Sequence, residues 1–200
     1  MGKVEENKLD KFRRILDSAY ALAQQRDVHL VPIDEIVKKA GVSKGTFYLY
    51  FKDKFDLISK IIIDRVGAFM AENEAYGVLF ESSSDPGKNI ESLIIGISEF
   101  LKMNMPLTRL IDKNVHVCVG AVIGNLSGPA KNLYDSILAA VAAGSGIPEA
   151  EKKLYIFFDT TVSSCCNALL RGIPYGIDEV CSELSDLFGS YLSSAGEAGS

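Results

Sequence analysis

The sequence is poor in the residues that carry most covalent and metal chemistry. Its 200 residues include two histidines, His29 and His116, and four cysteines, Cys118, Cys165, Cys166 and Cys181. The cysteines show no CxxC spacing and no histidine at a metal-ligand interval, which argues against a zinc site. There is no glycine-rich phosphate loop, no GxSxG nucleophile motif and no recognisable pair of catalytic carboxylates. No enzyme class is therefore indicated and no cofactor is expected. The longest apolar stretch, residues 115–126, contains His116 and Asn125 and falls short of the roughly 18–20 residues that span a bilayer. The first twelve residues, MGKVEENKLDKF, lack the apolar core of a secretory signal, so a cytoplasmic protein without a membrane segment is expected. Internal repeats and alternation long enough for a strand are also missing, and the chain is expected to be all-α.

What is present is a composition 48% hydrophobic, enough for one large core or two small ones. The formal charge of −5 is unevenly spread. Residues 1–60 hold 12 Lys and Arg against 9 Asp and Glu, while residues 61–200 hold 9 against 17. A basic end on an acidic body is the asymmetry of a chain that approaches phosphate with one end only. The small excess is too little for a non-specific nucleoid binder that relies on phosphate alone.

Apolar residues at three- and four-residue spacings predict a first helix over 8–25, with Phe12, Ile15, Leu16, Ala19 and Leu22 on one face. After an interruption at 27–32, Pro32 fits the first turn of a second helix over 33–40, which Gly41 ends. Ser43 is placed to cap a third helix through residue 50 or 51, and Asp53 a fourth over 54–76 with Phe55, Ile58, Ile62, Phe69 and Met70 repeating along it. Such a fourth helix would exceed about 30 Å and could act as a lever. Residues 81–88, ESSSDPGK, read as a linker. Further helices are expected over 89–104, 106–120, 128–143 and 149–170, with a last one after Gly176.

Along the final two helices Leu154, Phe158, Thr161 and Cys165, then Val180, Leu184, Leu187 and Tyr191, form stripes. These stripes suit a hairpin that pairs with a second copy as a four-helix bundle, or equally the chain's own core. Residues 193–200 read as a disordered tail.

Two short helices joined at a glycine make a helix-turn-helix, whose second helix enters the major groove of DNA. At 100° per residue Phe47 and Phe51 lie within about 40° of each other and face inward. Gly45, Thr46, Tyr48 and Leu49 then face outward. Gly45 permits close backbone approach, and Thr46 can exchange hydrogen bonds with base edges. Ser43 and Lys44 lie where free amide groups and the helix dipole favour phosphate.

Residues 40–54, AGVSKGTFYLYFKDK, resemble the signature of the TetR family of bacterial regulators. The resemblance covers about the first 60 residues; beyond them only length, helicity and the order of segments agree. It implies a repressor that binds a near-palindromic operator as a homodimer and is released by a small molecule held in a C-terminal cavity. By position it implies DNA contacts from Ser43, Lys44, Gly45, Thr46, Tyr48 and Tyr50, and a phosphate contact from Lys54. The chain departs from the family at Asp27, where a glycine is common, and at Pro32, where a threonine is common. The corresponding domains are 1–54 for DNA binding and 55–192 for effector binding and dimerisation.

Phe69, Met70, Phe100, Met103, Asn104, His116, Tyr155 and Asn167 are candidates for the effector cavity, an apolar site with a few polar groups that suits a mainly hydrophobic ligand. Two other readings stay open: a thiol-based redox regulator using Cys165, Cys166 and Cys181, and an enzyme on a helical scaffold. The four thiols are otherwise expected to be small buried hydrophobes.

Overall fold

The computed structural model describes residues 3–72 and 86–193. Among them are ten α-helices, one 3-10 turn and no strand. The chain divides into two compact units, Met1–Asp64 and Arg65–Ser200.

The first unit contains α1 (Lys3–Ala23), the 3-10 turn Val28–Leu30, α2 (Ile33–Ala40), α3 (Lys44–Tyr50) and the start of α4 (Lys54–Glu72). Ile15, Leu16, Ala19 and Leu22 of α1 are buried with Ile36, Val37, Phe47 and Phe51, as the spacings predict. Phe12 stacks on Phe51 with ring centroids 5.3 Å apart, and Phe47 meets Phe51 at 5.2 Å.

The local signals explain the helix ends. Gly41 takes the left-handed conformation, φ 64° and ψ 38°. Its amide donates to the Lys38 carbonyl and that of Val42 to Val37, the paired bonds of a Schellman turn. Ser43 Oγ accepts from the Thr46 amide at 3.1 Å and Asp53 Oδ1 from the Asp56 amide at 2.8 Å.

Pro32 and Phe55 differ from the sequence reading. Pro32 is the residue before α2, with extended backbone, and not part of its first turn. Asp27 has φ −60°, and its carboxylate accepts from the His29 amide and caps the 3-10 turn. Phe55, expected to join the inward repeat of α4, is exposed and lies beside the His29 ring, because Leu57, Ile58, Ile61 and Ile62 fill the buried face.

The second unit contains α5 (Pro86–Met103), α6 (Met105–Asp112), α7 (Val115–Gly124), α8 (Gly128–Ser145), α9 (Ile147–Arg171) and α10 (Ile177–Ser193). α9 packs against all of α5, α6, α7, α8 and α10, and α10 lies along α5. The helix expected over 106–120 is two helices, since Asn114 turns back on α6. Its backbone amide donates to Ile111 and its side-chain amide to Leu110. Pro86, Gly87 and Lys88, expected in the linker, open α5, while residues 73–85 lie outside the described residues, as do 194–200 of the expected tail. Among the described residues no helix is long and apolar enough to cross a membrane.

Candidate nucleic-acid interface

α3 is short and carries its residues on two contrasting faces. Phe47 is fully buried and Phe51, the residue after the helix, nearly so, whereas Tyr48 is 52% and Leu49 80% exposed. Ser43, Lys44 and Gly45 are exposed and Thr46 half-buried. The structure thus brings Lys44, Gly45, Tyr48 and Leu49 onto one accessible surface, anchored through the two phenylalanines. Leaving a large apolar side chain such as Leu49 in water costs solvation free energy that a groove contact would recover, and a thymine methyl is one partner of that kind.

Other expected contact residues have intramolecular partners. Ser43 Oγ lies 2.9 Å from Thr46 Oγ1 as well as on the Thr46 amide. Tyr50 is half-buried, its ring 6.1 Å from that of Phe12, and its carbonyl accepts from Lys60 Nζ at 3.0 Å. Lys54 Nζ donates to the His29 carbonyl at 2.8 Å. Lys44 Nζ contacts both carboxylate oxygens of Asp34, at 2.9 and 3.1 Å, and this hydrogen bond and charge raise the lysine's pKa.

Two supports escaped the sequence reading. Arg14 Nη2 donates to the carbonyls of Ala40, at 2.6 Å, and Gly41, at 3.2 Å, so a cation on α1 satisfies the end of α2 at the turn into α3. Lys60 joins the end of α3 to α4 through Tyr50 and Asp56. Burial works to raise the Asp56 carboxyl, but the Lys52 amide and the Lys60 ammonium outweigh it and hold it below its ordinary range. Nothing in periodicity reports such contacts, because an arginine or lysine on an exposed helix face reads the same with or without a carbonyl to meet.

Of the expected cavity residues whose side chains are described in the second unit, Phe69, Phe100 and Asn104 come together. Phe69 and Phe100 meet with centroids 4.2 Å apart, and the Asn104 amide donates to the Phe100 carbonyl. Met103, however, is 83% exposed, and Tyr155 and Asn167 also face outward. The side chains of Met70 and His116 lie outside those described. The expected pairing stripe needs a correction: Leu154, Thr161, Cys165 and Leu184 are sealed inside the unit and cannot meet a second copy, whereas Phe158, Val180 and Tyr191 are half-buried and Leu187 is exposed. The apolar residues left outside are Tyr155, Ile156, Ile173, Tyr175 and Leu187.

The thiols are placed as buried groups. Cys118, Cys165 and Cys166 are buried and Cys181 is half-buried, none of them in a disulfide. Burial pushes Cys118 and Cys166 up to about 12 and raises Cys165 as well. Because the thiolate is the reactive form, burial leaves these thiols scarcely ionised at pH 8. Iodoacetamide at that pH is expected to leave Cys118, Cys165 and Cys166 of the folded chain unmodified over an hour, and to alkylate all of them in 6 M guanidinium. Mass spectrometry showing rapid uptake at Cys166 in the native state would contradict this placement. Among the described residues no group of three His, Cys, Asp or Glu could hold a metal ion.

Residues 15–61 match the family described as bacterial regulatory proteins, tetR family. The chain is 33% identical over 69 residues to the fatty acid metabolism regulator protein of Bacillus subtilis (strain 168), a match covering 34% of this chain and 36% of that protein. The aligned part is thus about a third of that relative's length. The fold resembles the transcriptional regulator FadR from Bacillus subtilis, solved in complex with stearoyl-CoA, with a TM-score of 0.60 at 17% identity over 90% of this chain and 98% of the other. It also resembles a TetR transcriptional regulator from Rhodococcus sp. RHA1, with a TM-score of 0.61 at 18% identity over 93% and 97%.

Proposed function

We propose that this chain, whose residues 15–61 match the tetR family and whose fold resembles that of a TetR transcriptional regulator, is a repressor that binds a near-palindromic operator as two copies. The observation that carries the reading is the exposed face of α3, where Tyr48 and Leu49 stand in solvent above a fully buried Phe47. α3 enters the major groove, with Tyr48, Leu49 and Thr46 at base edges and Gly45 admitting the backbone. The apolar residues outside α9 and α10, with Tyr155, Ile156 and Leu187 foremost, form the pairing face.

The effector enters the second unit, whose interior is built from large apolar side chains including Phe100, Phe157 and Phe188. A long acyl chain suits such an interior, and the similar FadR of Bacillus subtilis was solved with stearoyl-CoA. α4, about 28 Å long over its 19 residues, transmits the ligand's effect. Its displacement changes the separation of the two α3 helices from the roughly 34 Å of one DNA turn. A differential ligand affinity of about 1–3 kcal/mol between the two arrangements is within the ordinary range of such coupling.

Selection of duplexes from a random pool, followed by titration with stearoyl-CoA at fixed salt, tests both halves. The expected result is one enriched palindrome and at least tenfold weaker binding with stearoyl-CoA, but not with coenzyme A alone. A pool without enrichment removes the operator reading, and an enriched palindrome indifferent to stearoyl-CoA removes the acyl effector.

A further inference from the structure

Lys44 stands one residue before Gly45 and one helical turn before Tyr48, on the face of α3 that the DNA reading presents to the duplex. Its ammonium does not stand alone there. Asp34, in the first turn of α2, reaches across ten residues of sequence and holds Nζ through both carboxylate oxygens, at 2.9 and 3.1 Å. Both side chains remain more than half exposed, so the pair sits at the surface that a phosphate backbone would approach. The neighbouring acid of α2, Glu35, is engaged elsewhere, by Arg26.

We propose that Asp34 restrains sequence-independent DNA binding by neutralising Lys44 at the edge of the reading face. This rests on the DNA-binding reading of α3. Sequence-independent affinity comes from lysines and arginines that displace counterions from phosphates, and each such contact adds about 0.9 to the slope of log affinity against log salt. A lysine paired with a carboxylate brings no net charge to the backbone. An exposed pair is weak enough to open, but the Asp34 charge stays within a Debye length of the phosphates and opposes them. Contacts of Tyr48 and Leu49 with base edges carry no such charge, so restraining Lys44 leaves them intact and widens the gap between an operator and random sequence. An acid in the first turn of a helix ordinarily reads as a partner of the helix dipole, which conceals this role in the sequence.

The test uses the full chain, a random-sequence 30-base-pair duplex and four proteins: the parent, Asp34→Asn, Lys44→Gln and the double variant. Asp34→Asn is expected to tighten binding about threefold to tenfold at 0.1 M salt and to steepen the salt slope by about 0.9. Lys44→Gln is expected to weaken binding, because it leaves the Asp34 carboxylate bare beside the phosphates, and the double variant to lie between Lys44→Gln and Asp34→Asn. Asp34→Asn tightens more with Lys44 present than without it, because only then does it free a phosphate contact. Unchanged thermal melting of Asp34→Asn ties the effect to the interface.

Two results overturn the proposal while the parent still binds DNA. One is Asp34→Asn leaving affinity unchanged or weakening it. The other is equal tightening by Asp34→Asn with and without Lys44, which would assign the effect to the carboxylate's own charge. A parent chain that binds no duplex would instead overturn the DNA-binding reading, and this proposal with it.

Discussion

Replacing Tyr48 and Leu49 together by alanine is expected to weaken operator binding by about 100-fold or more while leaving the fold intact. The two side chains are 52% and 80% exposed and contribute little buried area within the chain. Surface substitutions away from caps and ion pairs usually change stability by less than about 0.5 kcal/mol, so thermal melting should be almost unmoved. Losing the fit to one base pair typically costs about 1–3 kcal/mol, roughly additively, and losing two places the combined effect near or above two decades in affinity. Binding to random duplex should change much less, because neither residue is charged. Gel shifts on the selected operator and on random duplex check this, and an equal loss on both would move these residues off the reading face.

Phe47→Ala is expected to abolish operator binding by the opposite route. Phe47 is fully buried, touches Phe51 at 5.2 Å between ring centroids, and fixes α3 to the unit beneath it. Truncating a buried phenylalanine costs about 3–5 kcal/mol. At about 0.05–0.15 kcal/mol per residue, a unit of some 64 residues holds roughly 3–10 kcal/mol in all. The loss is therefore a large share of the unit's stability, and the amides of α1, α2 and α3 should lose most of their protection in hydrogen exchange. Protection retained within tenfold of the parent would show that the site collapses around the smaller side chain instead.

Signals confined to a few residues carried the first unit from sequence to structure. Gly41, Ser43 and Asp53 each fix a chain reversal or a helix start by local chemistry, and α2 occupies the 33–40 span that its apolar spacing predicts. Where the outcome depends on packing between helices, the same patterns say less. A four-and-three stripe on α9 and α10 is identical whether it meets a second copy or the chain's own interior, and Leu154, Thr161 and Cys165 proved to be interior. The break between α6 and α7 has neither proline nor glycine to announce it; Asn114 makes it with a side-chain bond to Leu110. Phe55 looked inward by period, yet the Leu57, Ile58, Ile61 and Ile62 face was already complete. The candidate interface was legible in its residues but not in its pairings, since Arg14, Asp34 and Lys60 act through partners 10 to 27 positions away.

The Arg14 contact with Gly41 binds two distant positions into one unit of variation. A Cβ built at position 41 would lie 2.6 Å from Arg14 Nη2, and the left-handed backbone there strains any side chain besides. A residue other than glycine therefore makes the end of the flexible Arg14 side chain shift, and the left-handed backbone remains the larger obstacle. Conversely, once a shorter residue replaces Arg14, that steric bar is gone and only the backbone conformation still argues for glycine. Position 41 thus answers first to its own backbone conformation, and position 14 adds a smaller constraint that a side-chain movement can relieve.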